Sequence, residues 1–343
     1  MKNELKYDVD INTANKAKKE MAESLETNDK RVLNKIGAFS ALYDFKFPEY
    51  KNPVLVLKTE EPGSKQLLAF KYDRIENICY DMINHLINDC IVMGAKPLTV
   101  QDAIICGKLE KDKVLRIVKA VSNACKEQNC VLTGGETSEQ PGILESGTYI
   151  LTSSIVGIVE KDKVIDGSKI KYDDIVLGIE SNGLHTNGFT MIRQLIAKNP
   201  KIEDLIIDGK RFIDIVLEPH RCYYNSLKEL FKKEVISGLA HITGGGIKEN
   251  LDRILPDNLN AEIDLSKIQI LPIFKAIRKS GDIKDEEMLR VFNMSIGLCA
   301  VCDQKHKNKI ISHLEKFKIN SYEIGRITKG CKKVVTTGKL NWK

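Results

Sequence analysis

A charged segment in the middle of the chain constrains the fold more than any other feature. It reads EKDKVIDGSKIKYDD at positions 160–174, and its charges and glycine are typical of a linker between two folded units. A chain of 343 residues exceeds what one hydrophobic core usually serves. We therefore predict an N-terminal domain at residues 1–165 and a C-terminal domain at residues 166–343.

Strands and helices are predicted to alternate on both sides of this linker. In the N-terminal half we expect strands at 53–58, 66–71, 97–105 and 147–159 and helices near 75–94 and 111–128. In the C-terminal half we expect strands near 174–180, 260–264, 295–302 and 321–327 and helices near 187–198, 218–233, 246–254, 271–280 and 304–317. This mixture predicts an α/β fold of the α+β type, with mixed or largely antiparallel sheets in both domains.

The composition argues against two classes of partner. The 53 basic residues are interleaved with 47 acidic ones and no basic-aromatic stripe occurs, so we expect no nucleic-acid binding. No apolar run approaches the roughly 18 residues that a membrane helix requires, and the first 20 residues lack the apolar core of a signal peptide. Nine cysteines scattered through apolar segments indicate reduced thiols and a cytoplasmic location.

The stretch LKTEEPGSKQLLAF, which begins at residue 57, joins two predicted strands through a polar turn. Gly63, Ser64 and Lys65 in such a turn could hold a phosphate group. The adjacent carboxylates of Glu60 and Glu61 could bind a metal ion that accompanies the phosphate, or they could repel it. The residues of this turn leave both interpretations open.

The predicted helix at 75–94 carries a polar cluster on one face. Asp81, His85 and Asn88 are spaced at i, i+4 and i+7, and Asp89 lies beside them. Taken alone, this pattern is typical of the solvent-exposed face of an amphipathic helix.

Two more carboxylates accompany predicted strands. Asp102 interrupts the apolar strand PLTVQDAIICG, where a carboxylate is costly to bury unless it is paired or binds a cation. Glu136 follows Gly134 and Gly135 in CVLTGGETSEQPG, where paired glycines after a strand allow a close approach of the backbone. An ordinary glycine turn explains the second pattern equally well.

Two glycine-rich segments of the C-terminal half each contain a histidine. His185 lies in SNGLHTNGF and His241 in LAHITGGGIKEN, and both segments lead into a predicted helix. Backbone N–H groups at a glycine-rich helix start can bind an anion. Neither segment matches the Walker or the Rossmann pattern, so those two nucleotide sites are not predicted.

Six motifs occur together and in order: TGGETSEQPG, DGSKI, SNGLHTNGF, LEPHRCYY, AHITGGGIKENLDRILP and EMLRVFNMSIG. With these motifs the chain resembles the phosphoribosylformylglycinamidine cyclo-ligase (AIR synthetase) family, from YDVDINTAN at 7–15 to YEIGRI at 322–327. The resemblance implies ATP- and Mg²⁺-dependent closure of formylglycinamidine ribonucleotide to aminoimidazole ribonucleotide in purine biosynthesis. It also implies a homodimer whose N-terminal domains form a barrel beside the ATP site, and a C-terminal α/β sandwich domain that covers the cleft.

The resemblance also implies roles for individual residues. The metal ligands would be Glu60, Asp81, Asp89, Asp102 and Glu136. The nucleotide would contact Glu60, Gly63, Ser64, Lys65, Asn88, Asp102, Gly134 and Gly135. The substrate would contact Asn187, Arg221, Thr243, Gly244, Gly245 and Gly246, and catalysis would use His185, His241 and Lys65.

Three departures from the family pattern fall in the N-terminal half. The loop at 59–65 reads T-E-E-P-G-S-K where the family generally has T-D-G-V-G-T-K, so the side chain of Glu60 is one methylene longer and Glu61 adds charge. An upstream glycine-rich run is reduced to Gly37, and His85 stands where the family usually has an apolar residue. Two alternatives therefore stay open: a paralogue that activates a different amide or acid with ATP, and a catalytically weak protein that binds a phosphorylated ligand.

Overall fold

The computed structural model describes residues 20–21, 27–34 and 38–343. The motif YDVDINTAN and Gly37 lie outside these residues. The N-terminal sheet contains β1 (Pro53–Glu60), β2 (Lys96–Cys106), β3 (Val131–Glu139) and β4 (Tyr149–Glu160), accompanied by α1 (Lys65–Lys71), α2 (Ile75–Ile91) and α3 (Lys111–Glu127). Its order is β1-β4-β2-β3, with β4 antiparallel to both neighbours and β3 parallel to β2. The mixed sheet confirms the predicted class for this half.

The C-terminal half is built around a six-stranded sheet of order β12-β9-β11-β5-β10-β8, antiparallel except between β12 and β9. Its strands are β5 (Ile175–Glu180), β8 (Gly238–His241), β9 (Leu259–Asp264), β10 (Ile296–Cys302), β11 (Ser321–Lys329) and β12 (Lys333–Thr337), and a short hairpin adds β6 (Ile206–Ile207) and β7 (Lys210–Arg211). Its helices are α4 (Phe189–Lys198), α5 (Phe212–Val216), α6 (Tyr224–Lys232), α7 (Gly246–Leu251), α8 (Pro272–Gly281), α9 (Asp285–Val291) and α10 (Lys307–Glu315). None of the described helices combines the length and hydropathy needed to cross a bilayer.

One predicted strand is wrong. Residues 66–71 form most of helix α1, not a strand, and Lys65, Leu68 and Ala69 are buried at helical spacing. A short apolar run such as QLLAFK does not distinguish the two structures by periodicity alone. The polar turn that precedes it therefore connects a strand to a helix. The other predicted elements are present with shifted ends, and the domain division at residue 165 stays a prediction.

Helix α2 lies between the two domains. Its apolar side packs against β1, β4 and α3. Along its other side, the side-chain amides of Asn77, Asn84 and Asn88 donate hydrogen bonds of 2.9, 2.6 and 2.8 Å to the carbonyl groups of Leu217, His220 and Arg221. Residues at this spacing form one stripe along a helix. The stripe satisfies the backbone of an extended segment of the C-terminal domain.

The interpretation of this polar face as solvent-exposed is therefore wrong. Asp81 and Asn88 are fully buried, and His85 is 7% exposed. The pattern resembles that of a surface helix because the polar groups are matched by the backbone of another domain and not by water.

Candidate active site

Four of the chain's six histidines meet where α2 contacts the C-terminal domain. His85 comes from α2, His185 from the turn between β5 and α4, His220 from the segment before α6, and His241 from the end of β8. The ring centroids of His185 and His220 are 3.7 Å apart and stacked, and those of His85 and His220 are 5.3 Å apart. Four elements that are distant in sequence thus contribute one imidazole each to a buried cluster.

Burial keeps most of these rings uncharged. It lowers the pKa of His85 to about 4, with the nearby His241 acting in the same direction. Burial likewise places the pKa of His185 and His220 well below the ordinary value for histidine. Neutral imidazoles can accept as well as donate, and the Nε2 atoms of His220 and His241 lie 3.0 Å apart as a hydrogen-bonded pair.

Two carboxylates and a lysine lie at the outer edge of the cluster. The ammonium group of Lys58 is 2.9 Å from Glu60 Oε2 and 2.9 Å from Asp89 Oδ2. Asp89 Oδ1 accepts a 2.7 Å hydrogen bond from His241 Nδ1. Burial opposes the charge of Asp89, but the bonds from His241 and Lys58 outweigh it and hold the pKa of this carboxyl below its usual range. The pair of acidic groups therefore holds a cation already.

Lys65 occupies a different place from the one expected for a phosphate ligand. Its side chain is 1% exposed, and its ammonium group lies 2.8 Å from Asp81 Oδ1, 3.1 Å from the carbonyl of His185 and 2.7 Å from the carbonyl of Glu218. These three acceptors use all three ammonium hydrogens. Asp81 also accepts a 2.8 Å bond from the backbone N–H of His220. The geometry makes Lys65 and Asp81 a buried connection between the domains.

Gly63 and Ser64 form the start of α1 beside this connection. Gly63 has a φ of +63°, and a Cβ there would lie 3.7 Å from the carbonyl of Thr186. The positive φ favours glycine at this position, one of three in the loop, with Thr59 and Lys65, that match the family pattern. The turn thus lies against the histidine-bearing segment of the C-terminal domain.

A row across the N-terminal sheet places Glu60, Ser153, Asp102 and Gly135 side by side on successive strands. Asp102 Oδ2 is buried without a described partner, and burial raises the pKa of its carboxyl to about 7. Any side chain at Gly135 would overlap Asp102. Glu136 is the next residue along β3, so its side chain points to the opposite face of the sheet, where it is exposed. The structure therefore does not bring Glu136 together with the other predicted metal ligands.

The glycine-rich loop before α7 is held by hydrogen bonds to its own backbone. The side-chain amide of Asn250 donates to the carbonyls of Thr243, Gly244 and Gly246 at 2.8–3.3 Å. Gly245 and Gly246 have positive φ angles of +90° and +63°, which favour glycine. Their N–H groups donate hydrogen bonds to the carbonyls of Arg290 and Thr243, respectively. An anion here would have to replace these bonds or use other donors of the loop.

Asn187, which precedes helix α4, offers an unused donor beside this loop. Its amide nitrogen is buried without a described partner, and its Oδ1 lies 3.8 Å from the position of a Cβ on Gly244. Arg221 is instead engaged with the C-terminal sheet through a 3.1 Å bond to the carbonyl of Glu180. Gly134, which precedes Gly135 on β3 and pairs with Gln101, has open space around it. Of the predicted substrate residues, Asn187 is the one with an unused buried donor.

Sequence reasoning missed two members of this site. His220 lies in LEPHRCYY, but nothing in its local pattern distinguishes it from a core histidine. Lys58 precedes Glu60 by two residues on one strand, so the period of a β-strand already places both side chains on the same face. That spacing was the available signal for Lys58.

A cavity of about 1080 Å³ lies elsewhere in the chain, lined by lysines such as Lys96 and Lys228 together with Tyr50 and Tyr224. None of the predicted site residues lines it. The chemistry suggested by the residues belongs to the histidine cluster and its carboxylates, not to this cavity.

Comparisons with known proteins define the class. Residues 41–159 match the N-terminal domain of AIR synthase related proteins, and residues 171–338 match their C-terminal domain. The phosphoribosylformylglycinamidine cyclo-ligase of Streptococcus agalactiae serotype III (strain NEM316) is 41% identical over 299 residues, which cover 87% of this chain and 87% of that protein. That of Streptococcus pyogenes serotype M6 (strain ATCC BAA-946 / MGAS10394) is 42% identical with the same coverage. The chain belongs to the phosphoribosylformylglycinamidine cyclo-ligase (AIR synthetase) family.

Solved structures share the fold at lower identity. Thiamine-monophosphate kinase from Stenotrophomonas maltophilia K279a has a TM-score of 0.68 at 16% identity and covers 94% of this chain and 96% of its own. E. coli HypE, a hydrogenase maturation protein, has a TM-score of 0.67 at 15% identity, with coverage of 95% and 94%. T. maritima PurL complexed with AMPPCP has a TM-score of 0.53 at 15% identity, with coverage of 81% and 40%. At these identities the comparison establishes the two-domain fold alone.

Proposed function

We propose that this protein catalyses the ATP-dependent cyclisation of formylglycinamidine ribonucleotide to aminoimidazole ribonucleotide, in the cytoplasm. The observation that carries the proposal is identity of 41% with curated cyclo-ligases over 87% of the chain, covering both domains. The converging histidines and carboxylates at the junction of the domains support it, because they provide a buried polar site between the two matched regions. All nine cysteines are free, in agreement with a reducing compartment.

The reaction needs an activated oxygen, because an amide oxygen is a poor leaving group. Transfer of the γ-phosphoryl group of ATP to this oxygen gives an iminophosphate and ADP. The amidine nitrogen then attacks the iminophosphate carbon, the ring closes, and inorganic phosphate departs. The protein's part is to orient the two phosphate-bearing reactants and to stabilise the charge that moves between them.

The residues present fit a magnesium ion carried by ATP. Asp89 and Glu60 already share the ammonium group of Lys58, and both are partly accessible. Carboxylate oxygens are the ligands that Mg²⁺ prefers, and the ion would neutralise the phosphates during transfer. Asp102, with its unpartnered oxygen, is a further acceptor for a cation or a proton. Asp81 is neutralised by Lys65, so we assign it a positioning role.

The test is an assay of the full chain with ATP, Mg²⁺ and formylglycinamidine ribonucleotide. We expect ADP and aminoimidazole ribonucleotide in equal amounts, with the amine detected by diazotisation. ADP formation only with a different amide or acid would favour the paralogue. Tight binding of the ribonucleotide with no ADP would favour the non-catalytic alternative.

The glycine loop gives a first prediction. Gly245→Val places a branched side chain at a φ of +90° against Glu249, which should distort the loop and raise the KM for the ribonucleotide by about tenfold. Steady-state kinetics at saturating ATP measure the effect. Gly209→Val is the matched control, because Gly209 also has a positive φ of +80° but open space around it. Equal KM values for both variants would place the phosphate site elsewhere.

The second prediction concerns assembly, for which we propose a homodimer. Leu55, Leu57 and Ile150 lie on the face of the N-terminal sheet opposite the helices and are 49%, 69% and 36% exposed. Such a face is typical of an interface. Leu57→Asp should convert a dimer into a monomer by light scattering, whereas Leu205→Asp, at a residue 41% exposed in the other domain, should not. A wild-type chain that is monomeric at all concentrations contradicts the proposal.

A further inference from the structure

We propose that His85, Asp89 and His241 form a binding site for a transition-metal dication such as Zn²⁺. One ligand atom from each residue lies within 4.8 Å of the others. The three side chains come from α2 and from the end of β8, so the site joins the two domains. The set contains two imidazoles and one carboxylate, a combination that suits zinc and similar ions better than magnesium or calcium.

In each histidine of the set, one ring nitrogen contacts a protein group outside the set. The Nδ1 atom of His85 is 3.0 Å from the hydroxyl of Thr186, which leaves Nε2 directed at the carboxylates of Asp89 and Glu60, 3.8 Å from each. His241 directs Nδ1 towards Asp89, and its other ring nitrogen lies 3.0 Å from His220. Metal-binding histidines typically have one nitrogen on the metal and the other bonded to a protein group that fixes the ring. Both histidines have that arrangement here.

The adjacent carboxylates of Glu60 and Asp89 are stabilised by a positive charge, which the ammonium group of Lys58 supplies in this structure. Its ammonium group bridges Glu60 and Asp89 at 2.9 Å each. Its side chain is 36% exposed, so it can turn towards solvent without leaving a buried charge behind. A dication in its place would neutralise both carboxylates and also engage the lone pairs of the imidazoles, which an ammonium group at this position does not.

A second histidine group is less suitable. His185, His220 and His241 also have nitrogens close together, but all three are buried and no carboxylate belongs to the group. The rings of His185 and His220 are stacked at an interplanar angle of 19°, so their nitrogen lone pairs lie in nearly parallel planes and do not converge on one ion. The outer group is therefore the metal site.

His85 is the residue that creates this site. Without His85, the ligands available beside Asp89 are carboxylate oxygens and a single imidazole, a set dominated by oxygen that suits a hard ion such as Mg²⁺. With His85, two nitrogens and up to two carboxylates surround one point. The site overlaps groups assigned above to Mg²⁺–ATP, but its metal affinity is measurable without ATP or substrate and does not depend on the proposed reaction.

The experiment uses the full chain, stripped of metal by EDTA and dialysed. Zn²⁺ affinity is measured by competition with a chromophoric chelator, and Co²⁺ is added separately to record the visible bands of a nitrogen- and oxygen-ligated ion. A Cys331→Ser background removes the exposed thiol as a competing ligand. We expect one Zn²⁺ per chain and Co²⁺ bands of the bound form.

His85→Leu should weaken Zn²⁺ binding by at least about 100-fold, because loss of a mere outer partner of a metal ligand already costs about 10–100-fold. His85→Gln, which keeps the length of a polar side chain, serves if the leucine variant does not fold by circular dichroism. His306→Leu is the matched control, because that histidine lies outside both groups, and its affinity should be unchanged. Equal Zn²⁺ affinity in wild type and both His85 variants overturns the proposal, as does the absence of one tightly bound Zn²⁺ in wild type.

Discussion

Lys65→Met is expected to lower the free energy of unfolding by about 3–5 kcal/mol, the usual cost of removing one partner of a buried ion pair. Lys65 is the only cation within hydrogen-bonding distance of the fully buried Asp81 among the described residues, and it also bonds to two carbonyls of the other domain. The variant leaves a buried carboxylate and two carbonyls without their donor. Urea unfolding measures the loss.

The pH dependence has a defined sign. Burial raises the pKa of Asp81 to about 6, with Lys65 acting against that rise. Removing Lys65 raises this pKa further, and a carboxyl whose folded pKa lies above its unfolded value loses stability as pH increases towards the folded pKa. In wild type this loss of stability is complete above about pH 6, whereas in the variant, with its higher Asp81 pKa, it continues as the pH rises further. The difference in free energy of unfolding between wild type and variant should therefore be larger at about pH 8 than at about pH 6.

Two controls define the interpretation. The double variant Lys65→Met/Asp81→Leu removes both charges and should recover much of the stability, because a buried ion pair is replaceable by apolar groups. Glu287→Gln breaks the exposed pair with Arg290 and should change stability by less than about 1 kcal/mol. A double variant that is stable but inactive would mean that Lys65 or Asp81 also acts in the reaction, as the resemblance implies for both. A single variant as stable as wild type would contradict the assigned positioning role.

The sequence predicted most elements of the fold because their periodicity is strong. The helices at α2 and α3 and the strands β1, β2 and β4 each carry a long pattern that matches one period. Helix α1 was predicted as a strand because QLLAFK is short, apolar and without a distinguishing period. Its first residue, Lys65, bonds to the other domain, and such contacts between distant segments are not visible in the local sequence.

The site was predictable in its residue types more than in its geometry. The family resemblance places His185, His241 and Asp89 at the site, and in the structure His241 lies close to both of the others. His185 and His241 belong to distinctive glycine-rich motifs, whereas the local pattern around Asp89 gives no such signal. The helix pattern predicts that His85 is solvent-exposed, but the structure buries it. The sequence of one helix does not show that the helix's polar side contacts another domain. Glu136 was grouped with the metal ligands, and only the strand register shows that its side chain is on the other face.

Asp89→Asn is expected to lower kcat/KM for the proposed cyclisation by roughly 100-fold, the usual scale for removing a group that stabilises charge in transfer. Asp89 bonds to His241 and to Lys58, so the variant loses a negative charge at the point where histidine, lysine and the magnesium ion would meet. Glu60→Gln should have a smaller effect of about tenfold, because Asp89 remains to hold the cation. Glu61→Gln should stay within about twofold, since that side chain is exposed and screened by solvent.

The order of these three effects separates two accounts of the altered loop. If Glu60 still serves the nucleotide or its metal, Glu60→Gln reduces turnover and raises the KM for ATP, whereas Glu61→Gln does neither. If the loop has lost that role, both glutamine variants are equally mild, and removal of negative charge near the phosphates can even tighten ATP binding. Glu60→Asp combined with Glu61→Gly restores the family's residue pair, and a gain in turnover would mean that the natural loop is impaired. Steady-state kinetics with ATP as the varied substrate compare the Asp89→Asn, Glu60→Gln, Glu61→Gln and double variants with wild type, at matched thermal stability. Equal, negligible effects of Glu60→Gln and Glu61→Gln would rule out Glu60 as a nucleotide or metal contact.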